Sequence, residues 1–216
     1  MIMIMKLMIP QKITTSVYLE RELEPLFSEV DHFDVEGRLT LEECDSGKVE
    51  HVYLPDGLEL ERKEYVRGIL TSRTVYEYDD EGGAVGLSLY DTHGFKMMDE
   101  SWDWSHDGRV ARIKRTRIWA GYPPEKSRAV NYYRKDGKLA YSADSGVFTR
   151  FEYDSEEHLI REIRMSKRED GSPESRVFEY SYEYDDAGNW TVRIINGVVK
   201  LNRKIEYYPM ANDHSM

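Results

Sequence analysis

The chain has 216 residues, 40% of them hydrophobic and 33% charged, and its 41 acidic against 30 basic side chains leave a net charge of −11. A mean hydropathy of −0.68 excludes a bundle of membrane-spanning helices, and 16 Tyr, 6 Phe and 4 Trp exclude a disordered chain. The acidic balance repels phosphate backbones and anionic lipid, so neither nucleic acid nor membrane insertion is expected.

The first nine residues, MIMIMKLMI, are apolar but too short to span a bilayer, and no basic n-region or small-residue cleavage site marks a signal peptide. A cytoplasmic location is the expectation. Residues 1–29 read as an N-terminal strand or a short helix leading into the sheet. Leu19, Leu23, Leu26 and Phe27 have helical spacing, while Pro25 opposes a helix. Cys44, the one cysteine, leaves no internal disulfide or thiolate cluster, and its neighbours Glu42, Glu43 and Asp45 are expected to raise its pKa.

From residue 30 to 208 one unit recurs. An aromatic residue stands four positions before a turn residue seven times: Phe33, Tyr53, Tyr78, Trp104, Tyr133, Tyr153 and Tyr184 precede Gly37, Gly57, Gly82, Gly108, Gly137, Glu157 and Gly188. An aspartate falls between them in each copy, at Asp34, Asp56, Asp79, Asp107, Asp136, Asp154 and Asp185. Gly accepts positive φ and Asp caps the turn through its own backbone, so each unit reads as strand, Asp-rich turn, strand. Successive turns lie 20 to 31 residues apart, which leaves room for two strands and a second, looser turn. The longest second turns are at 120–127 and 169–175.

The fold predicted is therefore all-β: an antiparallel meander of about seven repeated hairpins, roughly fourteen strands, forming one large twisted or rolled sheet, either an open roll or a barrel. Residues 209–216 read as a disordered tail.

The units TVYEYDDEG, RFEYDSEE and SYEYDDAGNWTVRI resemble the YD repeat of RHS-repeat proteins, a Tyr-Asp pair before a Gly-containing turn. The resemblance implies a β-sheet wound into a spiral or shell, which in large relatives encloses an effector segment and is often surface-associated or exported. This chain is far too short to enclose a domain, so the resemblance implies the fold and not the encapsulating role.

Chemistry is sparse. One carboxylate per turn falls short of the roughly six to eight oxygens calcium takes, and no metal or cofactor is expected. The histidines form no H-x-x-x-H or H-x-H pair. Asp91, His93 and His106 are the candidates for a small hydrolase site, although no G-x-S-x-G nucleophile motif accompanies them. Trp102 and Trp104 alternate with polar residues and share a face: covered, they are core, as the register with the other unit aromatics suggests; exposed, they are with Trp119 and Trp190 the candidate binding residues for a glycan. The stretch Arg109, Arg112, Lys114, Arg115 and Arg117 is a candidate basic face, set against an ordinary solvated strand. The leading expectation is a non-enzymatic scaffold or protein-interaction module. A glycan-binding module and the small hydrolase are the alternatives, and homodimerisation through open sheet edges is a further expectation.

Overall fold

The computed structural model describes residues 8–19 and 22–209, and the regular structure in them is all β. The first eight strands are β1 (Pro10–Leu19), β2 (Phe27–Phe33), β3 (Leu39–Cys44), β4 (Gly47–Tyr53), β5 (Glu59–Val66), β6 (Ile69–Tyr78), β7 (Ala84–Asp91) and β8 (Lys96–Trp104). The remaining eight are β9 (Val110–Arg117), β10 (Glu125–Tyr133), β11 (Leu139–Asp144), β12 (Val147–Tyr153), β13 (Leu159–Lys167), β14 (Pro173–Tyr184), β15 (Trp190–Ile195) and β16 (Val199–Tyr207).

The strands form an antiparallel meander, and β1 bonds to β16 as well as to β2, so the hydrogen-bonded order closes into a barrel. The barrel is one of the two outcomes the periodicity allows. The count is corrected from about fourteen strands to sixteen. Six Gly turns and the Glu157 turn join β2–β3, β4–β5, β6–β7, β8–β9, β10–β11, β12–β13 and β14–β15. The two additional strands, β1 and β16, lie outside the repeat and pair with each other. Because β1 is bonded on both sides, it offers no open strand for edge-to-edge pairing. Among the described residues of the stretch from Leu19 to Phe27 there is no helix: Leu19 ends β1 and Phe27 opens β2. The first seven residues, and the tail beyond Pro209, lie outside the described residues.

The chain divides into two compact units. One comprises residues up to His51, Tyr65–Gly68 and everything from Ser181; the other comprises Val52–Glu64 and Ile69–Tyr180. In the first unit Ile13, Val17 and Leu201 are buried, with Val17 directly opposite Leu201. In the second, Ala111 and Ala129 are buried on one face together with polar Ser72, Thr74, Glu100 and Glu162, while the buried Ser88 lies on the opposite face, across from Asp99. The covered face is thus thinly apolar, and its polar members are satisfied by specific partners. Arg115 reaches both Glu100 and Asp144, Tyr180 donates to Glu162 at 3.0 Å, and Ser72 donates to Glu64 at 2.9 Å.

The aspartate turns fall into two forms. At Asp34, Asp79, Asp91, Asp154 and Asp185 the aspartate opens the turn, and one carboxylate oxygen accepts the N–H groups two and four residues on. At Asp56, Asp107, Asp136 and Asp170 it stands two residues later and accepts one. The residue after the turn's midpoint has positive φ, as at Gly82 (82°), which a glycine adopts without a Cβ clash.

Candidate functional site

Residues directly opposite each other in an antiparallel ladder share a face, so the register sorts the candidates. Trp102 lies opposite Ile113 and Trp104 opposite Ala111, on the face that also carries Glu100 and Arg115. The Trp102 indole N–H donates to Glu100 at 3.1 Å and its ring is half-buried. Trp104 donates to the Ala84 carbonyl at 2.7 Å, is 38% exposed and leans on Tyr133 with ring centroids 5.6 Å apart. The Trp104 and Tyr133 rings line one side of a 330 Å³ depression with Asp107, Arg109 and Arg134. Trp119 lies in the β9–β10 loop, 54% exposed, and Trp190 opens β15 beneath Arg203. Within the second unit Trp104 and Trp119 lie at opposite ends of the β8–β9 pair, and Trp190 belongs to the first unit.

Asp91, His93 and His106 are also separated. Asp91 and His93 belong to the β7–β8 turn, where Asp91 accepts the backbone N–H groups of His93 and Phe95 at 2.9 Å each. His106 lies in the β8–β9 turn, at the other end of β8, roughly 30 Å away at about 3.3 Å per residue. The Cys44 expectation is corrected: the thiol is exposed and its pKa is lowered, because the hydrogen bond with Ser46 at 3.2 Å outweighs the nearby Glu29 charge.

Sequence reasoning missed a carboxylate cluster in the first unit. Glu29 and Asp31 project from β2 beside Glu42 of β3, and the three bring one oxygen each within 4.8 Å of one another. Burial first, then the neighbouring carboxylates, push the Glu29 and Asp31 pKa values up, and Arg203 opposes the shift. Asp31 Oδ1 is buried without a hydrogen-bond donor, while Glu42 is held by His51 Nε2 at 2.7 Å. The trio can hold a proton between two carboxyl groups or give oxygen ligands to a hard cation. The i, i+2 spacing of Glu29 and Asp31 was visible in the sequence; their meeting with Glu42, His51 and Arg203 depends on register across separate strands.

The basic stretch divides. Arg115 and Arg117 lie on the covered face, while Arg112 and Lys114 lie on the other, opposite Val130 and Arg128 of β10. That second face continues across β10–β14 as an apolar stripe. Tyr132 pairs with Tyr141, Val130 with Ala143, Ala143 with Phe148, Phe148 with Met165, and Ile163 with Val177. Tyr141 stacks on Phe148 with centroids 5.7 Å apart, and Tyr132 meets Tyr141 edge-on at 6.5 Å. Tyr132, Tyr141, Met165 and Val177 are 39–45% exposed. Ion pairs border the stripe, Arg161 joining Glu152 and Glu179.

No family model and no curated protein matches this chain. Among solved structures, a porin-like protein from Bacteroides uniformis is 13% identical, covering 91% of this chain and 98% of its own, with a TM-score of 0.43. A porin-like protein from Bacteroides vulgatus is 10% identical over 94% and 100% of the two chains, with a TM-score of 0.42. A TcdB2–TccC3 structure is 14% identical over 85% of this chain and 11% of its own, with a TM-score of 0.37. With TM-scores below 0.5, these likenesses transfer no activity, ligand or location to this chain.

Proposed function

We propose that this chain is a non-enzymatic interaction module, a short relative of YD-repeat proteins, that holds another polypeptide against the stripe on β10–β14. The observation that carries the reading is the run of exposed Tyr132, Tyr141, Met165 and Val177 in register on one face of a strongly polar protein. Contiguous exposed apolar surface bordered by charged pairs is characteristic of polypeptide contact. Lipid contact fits this face poorly: Lys114 and Arg128 stand on it, and such a side chain costs about 2–4 kcal/mol at a bilayer midplane. The test is a selection of random displayed peptides on the wild type, with recovered peptides assayed on a Tyr141→Ser/Phe148→Ser double variant of unchanged circular dichroism. Peptides that lose about tenfold in affinity on the variant support the reading. A selection that yields none, or peptides indifferent to the variant, ends it.

A glycan is the second reading, supported by the depression where Trp104 and Tyr133 sit beside Asp107, Arg109 and Arg134. An aromatic platform next to a carboxylate and guanidinium groups suits a sugar ring and its hydroxyls. Titration of tryptophan fluorescence with a panel of oligosaccharides tests it, and an unchanged spectrum for every member counts against it.

A further inference from the structure

We propose that the polypeptide bound on the β10–β14 stripe is an acidic segment, its carboxylates held by Lys114, Lys126 and Arg128 and its apolar side chains by the adjoining stripe. This inference rests on the interaction-module reading and specifies its partner. Lys114 and Arg128 lie directly across from each other on β9 and β10, and Lys126 lies across from Thr116. All three cations are exposed, and among the described residues no ion pair forms at any of them. Like charges in direct cross-strand register are destabilising in an isolated sheet, and in a protein with 41 acidic side chains this face has acids to choose from and leaves these cations without one. Arg112 differs, standing across from Asp103, and the neighbouring Asp99 is already taken by Lys96 at 2.7 Å and Ser88 at 3.0 Å.

The cations and the stripe form one surface. Lys114, Lys126 and Arg128 line a 490 Å³ depression with Ser101, Thr116 and Asp99, whose carboxylate is the one engaged by Lys96 and Ser88. Arg128 also lines the next one, 380 Å³, whose other walls include Val130, Ala143, Val147 and Phe148. A segment crossing from the first depression into the second meets positive charge and then apolar surface. That order suits a peptide combining Asp or Glu with Leu, Phe or Trp better than it suits a nucleic acid, whose regularly spaced phosphates would meet the apolar half.

The experiment is fluorescence anisotropy on the whole chain with three labelled probes: a short peptide alternating Glu with Leu and Phe, its counterpart with Gln for Glu, and an oligothymidylate. The expected result is binding of the Glu peptide that is about tenfold weaker for the Gln peptide and weakens by at least about tenfold in a Lys114→Glu/Arg128→Glu variant. Equal binding of Glu and Gln peptides, tighter binding of the oligothymidylate, or a charge-reversed variant that binds as the wild type overturns the proposal. Peptides from the random selection separate the two claims. If they require Tyr141 and Phe148 but carry no excess of acid and ignore the charge reversal, the interaction module stands and the acidic partner falls. If the Glu peptide needs the cations and ignores Tyr141→Ser/Phe148→Ser, the charge assignment stands and the stripe reading falls.

Discussion

The Arg203 guanidinium lies over the Trp190 ring, 3.6 Å from its centroid, and from β16 it acts on the Asp31 and Glu29 carboxylates of β2. One cation thereby joins an aromatic residue of the repeat to the acidic cluster that the repeat does not contain. Burial, with a smaller effect from the Arg193 charge, lowers the Arg203 pKa, and the Asp31 and Glu29 carboxylates oppose that shift.

Arg203→Met should therefore destabilise the protein by about 2–3 kcal/mol, from a lost cation–π contact and carboxylates left without their cation. Glu29 and Asp31 should move further up, since Arg203 is the largest of the charges that lower each of them. Urea titration followed by tryptophan emission reads the first effect, and carboxyl carbon chemical shifts against pH read the second. A variant within about 0.5 kcal/mol of wild type would show that the stacked geometry contributes little.

Glu29→Gln should act with the opposite sign at neutral pH. A carboxyl whose folded pKa is raised above its unfolded value favours the folded state when protonated, so its destabilising effect is absent below the unfolded pKa and grows as pH rises through the folded one. Removing the charge should raise stability by about 0.2–1 kcal/mol near pH 7, the range for cross-strand neighbours, Glu42 lying diagonally across from Glu29. The gain should vanish toward pH 4. Thermal melts of both proteins across that range check it, and an advantage that persists at low pH would locate its origin elsewhere.

Two turn aspartates, Asp154 and Asp107, give the reverse pH dependence. Asp154 is held below the usual carboxylate range chiefly by the His158 N–H, and Asp107 chiefly by the Ser105 hydroxyl. A lowered folded pKa contributes stability that is present above the unfolded value and is lost as pH falls through the folded one. The two turn forms also predict a ranking. Asp79 accepts two backbone N–H groups and Asp56 accepts one, so Asp79→Ala should cost about 2 kcal/mol against about 1 for Asp56→Ala. Equal losses in urea titrations would show that the hydrogen-bond count does not set the strength of these turns.

Most of the architecture was legible in the sequence because each hairpin announces itself within nine residues: an aromatic, an aspartate and a residue suited to positive φ. The second turns were only partly legible. Ser145-Gly146 and Asn196-Gly197 both take positive φ at two successive residues, which is tight-hairpin chemistry outside the repeated motif. The closing strands β1 and β16 carry no turn of the repeat between them and meet only through long-range register, Ile13 against Ile205 and Val17 against Leu201. The same limit hid Glu29, Asp31, Glu42 and Arg203, and it hid the opposition of Lys114 and Arg128. Alternation gives the face a residue occupies on its own strand, but not the residue across from it.

Glu157 is the turn residue that departs from glycine, and the fold keeps it at φ 70° where Gly188 takes 81°. A side chain in this left-handed region costs roughly 1–2 kcal/mol, and Glu157→Gly relieves it while adding about 0.5–1 kcal/mol of backbone entropy loss on folding. It also deletes the exposed pair between the Glu157 carboxylate and Lys138 at 2.9 Å, a contact worth little in solvent. Lys138 still donates to the Glu157 carbonyl at 2.6 Å, an acceptor the substitution leaves in place. The expected balance is a gain of about 0.5 kcal/mol for Glu157→Gly and a loss of about 1 kcal/mol for Gly188→Ala, where nothing crowds the added Cβ and the backbone alone resists it. Thermal unfolding of the two variants beside the wild type measures both. A Glu157→Gly variant that melts lower would mean that the Lys138 pair, and not the turn conformation, is what this position contributes.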